Sequence, residues 1–86
     1  MDKDFAASLT KMSVQIIAKT AKCGRLTIFS EEVENTTELH IKPSRNLGEL
    51  YDSVRVRYND STMGDGQIKL SVGLNKDKKE VIIYFR

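Results

Sequence analysis

Apolar residues recur at helical spacing over the first quarter of the chain. Phe5, Leu9, Met12 and Ile16 follow one another at intervals of four, three and four residues, and Val14, Ile17 and Ala21 join them. This is the period of an amphipathic α-helix. An aspartate before the pattern can cap the first amides, and a glycine after it can end the helix. We therefore predict a helix over about residues 4–23, with these apolar side chains facing the core.

Beyond this helix the spacing of apolar residues falls to two, as in half-buried antiparallel strands. The strands predicted from this alternation span about residues 25–30, 37–42, 53–59, 67–74 and 80–86. The third of them rests on Val54, Val56 and Tyr58, which alternate with polar residues. Residues 43–52 fit a loop, a strand or a short helix. The expected fold class is α+β: one N-terminal amphipathic helix packed on a four- to five-stranded, mostly antiparallel meander sheet.

The size and composition indicate one ordinary globular domain covering residues 1–86. Hydrophobic residues make up 40% of the chain and charged residues 30%. The formal net charge of +2 is too small to indicate a nucleic-acid or membrane partner. No apolar run approaches the about 20 residues of a membrane-spanning helix, and the acidic start is unlike a secretory signal. The single cysteine, Cys23, cannot form an internal disulfide, so we expect a cytoplasmic location.

Most of the residue combinations that carry chemistry are missing. His40 is the only histidine, and its position between Leu39 and Ile41 places it on the solvent side of a strand. One His and one Cys cannot supply a structural zinc site. The loop of residues 60–66 lacks the glycine and glutamate spacing of an EF-hand, and no glycine-rich phosphate loop precedes a helix. We therefore expect no enzyme activity, no cofactor and no metal site, and the sequence assigns Cys23 no role.

The strand face that points away from the helix has an unusual composition. If the buried strand residues meet the helix, their neighbours form an outer face with several cations and two aromatic rings. Tyr and Arg are enriched among the residues that dominate protein interfaces. The candidate partner-binding residues on this outer face are Phe29, Arg55, Arg57, Lys69 and Tyr84.

Three functions fit the predicted outer face. The leading expectation is a small non-catalytic protein-binding module, of the inhibitor, immunity or adaptor type, that docks on a larger protein. The first alternative is a single-stranded nucleic-acid-binding protein, in which the cations contact phosphates and the aromatic rings stack on bases. The second is a homodimer that pairs through the outer face, or through Val81–Phe85 if that strand forms an unpaired edge.

Overall fold

A computed structural model describes all residues from Met1 to Arg86. Its elements are, in chain order, α1 (Lys3–Thr20), β1 (Leu26–Val33), β2 (Thr36–Pro43), α2 (Leu47–Tyr58), β3 (Thr62–Met63), β4 (Ile68–Asn75) and β5 (Glu80–Phe85). The expected α+β class, with the N-terminal helix packed on an antiparallel sheet, is confirmed. Four of the five predicted strands lie within a few residues of β1, β2, β4 and β5. Neither helix is both long enough and apolar enough to cross a membrane.

All five strands form one antiparallel sheet with the order β1-β2-β5-β4-β3. Hairpins join β1 to β2 and β4 to β5, and the two-residue strand β3 pairs with β4. The order departs from a simple meander because β2 is followed in space by β5. Since β5 is paired on both sides, the condition for dimerisation through Val81–Phe85, an unpaired edge, is not met.

Both helices pack on the same face of the sheet, and the core lies between the helices and the sheet. The central strands contribute Ile41, Ile83 and Phe85, which are fully buried. They belong to one apolar cluster with Val14 of α1 and Leu50 of α2. Because the other face of the sheet has no helix against it, that face remains the outer face of the domain.

The predicted core-facing side of α1 is right for Val14, Ile17 and Ala21 and wrong for its four largest residues, although the helix lies close to its predicted position. The four large apolar residues Phe5, Leu9, Met12 and Ile16 are exposed. The side of α1 that meets the core is formed by smaller residues, namely Ala6, Ala7, Thr10, Val14 and Ala18. Both sets recur at helical spacing, so periodicity locates the helix without deciding which face is buried. The small side chains allow the helix to pack closely on the sheet.

Residues 53–59, predicted to form a strand, lie almost entirely in helix α2. Leu50 and Val54 are fully buried four residues apart, whereas Val56 is 76% exposed. In a strand Val54 and Val56 would share a face, but in a helix two residues apart they point in nearly opposite directions. The spacing of buried residues extends back to Leu47, inside the segment whose structure the sequence leaves open. The alternation that predicts the strand is therefore a coincidence within a helical pattern.

The end of α1 is tied to the start of α2 by hydrogen bonds. Asn46 Nδ2 donates to the backbone oxygens of Ala21 at 3.0 Å and Lys22 at 2.9 Å. The carbonyls at the end of a helix have no partner within the helix, and that of Lys22 also accepts a hydrogen bond from Arg45 Nε at 3.3 Å. Gly24, at φ +71°, lies so close to the Ser44 side chain that any Cβ would collide with its hydroxyl. The two helices are thereby fixed in one antiparallel layer.

Candidate functional site

The structure separates the five candidate partner-binding residues into two groups. Phe29, Lys69 and Tyr84 lie on the outer face, as predicted. Arg55 and Arg57 belong to α2, which covers the opposite face of the sheet. The predicted combination of Arg55 and Arg57 with the aromatic rings is therefore not formed. It depended on a strand that is a helix in the structure.

The ring of Tyr84 packs within the sheet. A Cβ at Gly73 would come within 3.2 Å of Tyr84 Cε2, so the ring covers the glycine of the neighbouring strand β4. The Arg86 guanidinium lies 4.8 Å from the ring centroid, and its Nη1 donates to Ser71 Oγ at 2.7 Å. An aromatic ring that covers a strand glycine in this way stabilises the sheet. Tyr84 therefore has a structural role that requires no partner.

His40 is buried, which corrects the expectation of a solvent-facing side chain. Its ring points to the outer face as predicted, but only 6% of the residue is exposed. Phe29, its cross-strand neighbour, stacks on the imidazole with 4.8 Å between centroids and 5° between planes. The aromatic ring on this half of the outer face thus covers the histidine.

Three carboxylates surround the imidazole of His40. Nδ1 lies 2.7 Å from Glu80 Oε1, and Nε2 lies 2.9 Å from Glu38 Oε1 and 3.4 Å from Glu31 Oε2. Lys42 Nζ is 4.0 Å from Glu80 Oε2. Sequence reasoning missed this cluster because its members come from three strands. The strand register, which sets Glu31 opposite Glu38, is the signal that could have revealed it.

The exposed side of α1 carries Phe5, Leu9, Met12 and Ile16, which we call the α1 stripe. Their exposed fractions are 54%, 39%, 64% and 70%. Since successive members are three or four residues apart, they form one continuous row along the helix. Scattered apolar residues on a surface are ordinary, whereas a continuous apolar patch marks an interaction site.

The α1 stripe has opposite charges near its two ends. Asp4 is exposed at the start of the helix and Lys19 at its end, and helical geometry places both on the same side of the stripe. Along the other side a shallow groove separates α1 from α2, with Ile17 on one wall and Glu49 and Asp52 on the other. The surface is thus apolar along its middle, with Asp4 at one end and, at the other, Lys19 on one side and Glu49 and Asp52 across the groove on the other.

Two ionisable groups have pKa values above their ordinary range. A hydrogen bond between the carboxyl groups of Asp4 and Glu32 raises the pKa of Glu32. Burial raises the pKa of the Cys23 thiol, the nearby Glu49 carboxylate adds to this effect, and Arg45 opposes it. A thiol with a raised pKa stays protonated near neutral pH and is a poor nucleophile.

The chain matches no protein-family model, no curated protein and no solved structure at a significant level. On the outer face, Tyr84 covers Gly73 and Phe29, which is itself 43% exposed, stacks on His40, so one side of each ring is engaged within the chain. The side chains of the α1 stripe project from the side of the helix that faces away from the core. The α1 stripe is the better candidate for a docking surface.

Proposed function

We propose that the protein is a small, non-catalytic protein-binding module that docks through the α1 stripe onto the same stripe of a second copy. The observation that carries this proposal is the exposure of four large apolar side chains in one continuous row. Contact of these side chains with water costs free energy that docking would recover. Because they project from a regular helix, little conformational freedom is lost when they dock.

An antiparallel pair of α1 helices is self-complementary. With the centre of the stripe between Leu9 and Met12, a two-fold axis sets Leu9 of one copy against Met12 of the other. The same axis sets Phe5 against Ile16, so an aromatic ring meets a branched aliphatic side chain at each end. The dipoles of two antiparallel helices also attract each other.

Asp4 and Lys19, near the two ends of the stripe, favour this antiparallel arrangement. It brings Lys19 of the second copy to the acidic start of α1, where the charge of Asp4 contributes to the raised pKa of Glu32. A lysine beside these carboxyl groups reduces their mutual repulsion. A parallel arrangement would instead bring Asp4 of one copy next to Asp4 of the other.

Sedimentation equilibrium over a concentration series tests the proposal directly. We expect the wild-type protein to dimerise and Met12→Lys to weaken the dimer at least about 100-fold, since the two-fold axis makes the lost contact occur twice. Val56→Lys is the matched control because Val56 is 76% exposed on α2, outside the stripe. This control should dimerise like the wild type, and both variants should keep the wild-type circular dichroism spectrum.

A charge exchange tests the antiparallel orientation separately. Lys19→Glu should weaken the dimer, and the double variant Asp4→Lys/Lys19→Glu should restore part of the lost affinity. A wild-type chain that remains monomeric at millimolar concentration would overturn self-association. So would a monomer that uses the α1 stripe to bind a different protein, since the occupant proposed here is a second copy.

A cytoplasmic location is part of the proposal. It is supported by the single buried thiol of Cys23, which has no second cysteine with which to form an internal disulfide. Detection of the endogenous protein in fractionated cells checks this placement.

A further inference from the structure

The cluster around His40 has a donor arrangement that suits a metal ion. Glu31 and Glu38 face each other across β1 and β2, and His40 lies two residues from Glu38 on the same side of the strand. One oxygen of each carboxylate and Nε2 of the ring all lie within 4.8 Å of one another. Three potential ligand atoms therefore converge on one point of the outer face.

The orientation of the His40 ring is fixed by Glu80. The side chain of Glu80 is 3% exposed and that of His40 is 8% exposed, so their 2.7 Å contact at Nδ1 is shielded from water. A carboxylate can only accept a hydrogen bond, so Nδ1 carries a proton and donates it to Glu80. Nε2 is then the ring nitrogen available to a metal ion, which would take the place of any proton on it. A histidine held by a carboxylate in this way is the usual arrangement of a metal-binding imidazole.

Nε2 faces two carboxylate oxygens. Its two neighbours are carboxylate oxygens of Glu38 at 2.9 Å and Glu31 at 3.4 Å, neither of which donates a hydrogen bond when ionised. Like charges directly opposite on neighbouring strands also destabilise a sheet. Lys42 provides one positive charge against three carboxylates, and it lies on the Glu80 side of the cluster. A cation between Nε2, Glu31 and Glu38 would thus relieve the repulsion between these two carboxylates.

We propose that Glu31, Glu38 and His40 bind a Zn²⁺ ion, with Glu80 holding the imidazole in the required orientation. Ligands at about 2.0–2.1 Å in a tetrahedral zinc site lie about 3.3 Å from one another, and the two distances from Nε2 fall on either side of this value. One nitrogen and two oxygen ligands suit Zn²⁺ better than Mg²⁺ or Ca²⁺, which prefer oxygen ligands alone. Phe29 covers one face of the ring and restricts its motion.

Isothermal titration calorimetry with zinc chloride at pH 7.5, on protein first treated with a chelator, measures the affinity. We expect one ion per chain, and a loss of affinity of at least tenfold for Glu31→Gln. This change is at a half-exposed residue and should leave the fold intact. Glu80→Gln, which removes the group that orients the ring, should weaken binding by about 10- to 100-fold. Glu34→Gln, an exposed carboxyl in the turn of the same hairpin, is the matched control and should bind like the wild type.

Imidazole ¹⁵N spectra identify the ligand atom. Added Zn²⁺ should shift the Nε2 resonance of His40 and leave Nδ1 protonated. The proposal is overturned if millimolar Zn²⁺ produces neither heat nor shift, or if Glu31→Gln binds as tightly as the wild type. It is also overturned if Mg²⁺ binds as tightly as Zn²⁺, or if both ring nitrogens carry protons that Zn²⁺ does not displace. Each readout is independent of the α1 stripe, which lies on the other side of the sheet.

Discussion

Val54 and Val56 give the sharpest test of how α2 is oriented. Val54 is fully buried, whereas Val56 is 76% exposed. If residues 53–59 formed a strand, the two side chains would share one face and alanine at either position would have a similar effect. In helix α2 the same substitution should have opposite effects at the two positions.

The expected magnitudes follow from burial and helix propensity. Val54→Ala removes two buried carbons, worth about 0.8 kcal/mol each, and the remaining cavity raises the cost to about 2–3 kcal/mol. Alanine is the better helix former by about 0.5 kcal/mol, which leaves a net loss of about 2 kcal/mol for Val54→Ala. Val56→Ala removes no buried carbon and leaves no cavity. It should therefore stabilise the protein by up to about 0.5 kcal/mol.

Urea denaturation followed by circular dichroism measures both free energies of unfolding. An unchanged dependence on urea concentration in the two variants would show that the change lies in stability alone. The helical orientation of α2 would be refuted if Val56→Ala cost as much as Val54→Ala, or if Val54→Ala had no effect. Measurements at low micromolar protein concentration limit any contribution from self-association.

Two further predictions concern the start and the end of α1. Asp2→Ala should lower the free energy of unfolding by about 1 kcal/mol in thermal or urea denaturation, because the Asp2 carboxylate accepts the Phe5 backbone N–H at 2.7 Å; an effect below about 0.3 kcal/mol would contradict this. For Cys23, the thiol pKa is raised in the folded state, so the wild type should lose stability as the pH rises above the ordinary thiol value of 9.0, while Cys23→Ala should lose less over the same range. Equal losses in both proteins would contradict that prediction.

The fold could be predicted from the sequence wherever the period of apolar residues and the turn chemistry agree. α1 and the hairpin of β4 and β5 are examples, because their apolar periods are long and turn residues bound them. α2 was missed because Val54, Val56 and Tyr58 satisfy a strand pattern over a short window. The spacing of Leu47, Leu50 and Val54 indicates the helix, but it is recognisable only over a longer window of sequence.

The candidate sites depend on information that a single sequence does not contain. The cluster around His40 arises from the register of β1 on β2 and from the pairing of β2 with β5, which joins strands far apart along the chain. The α1 stripe is visible in the sequence, but its exposure depends on which of two helical faces meets the sheet. Hydrophobicity favours the face with Phe5 and Ile16, whereas close packing selects the face with Ala6 and Ala18.

This choice of face also bears on why the α1 stripe is apolar. Ala6 and Ala18 are almost completely buried, so α1 packs on the sheet through small side chains and leaves little room for larger ones. Met12 and Ile16, which are 64% and 70% exposed, therefore contribute little to the core, and polar residues at these two positions would serve folding about as well. A surface that folding does not require, and that exposes four large apolar side chains to water, is best explained by contact with another protein surface. The stability of Met12→Lys distinguishes the two roles: a side chain that serves only docking can be replaced without loss of folding free energy, whereas a side chain that serves the core cannot.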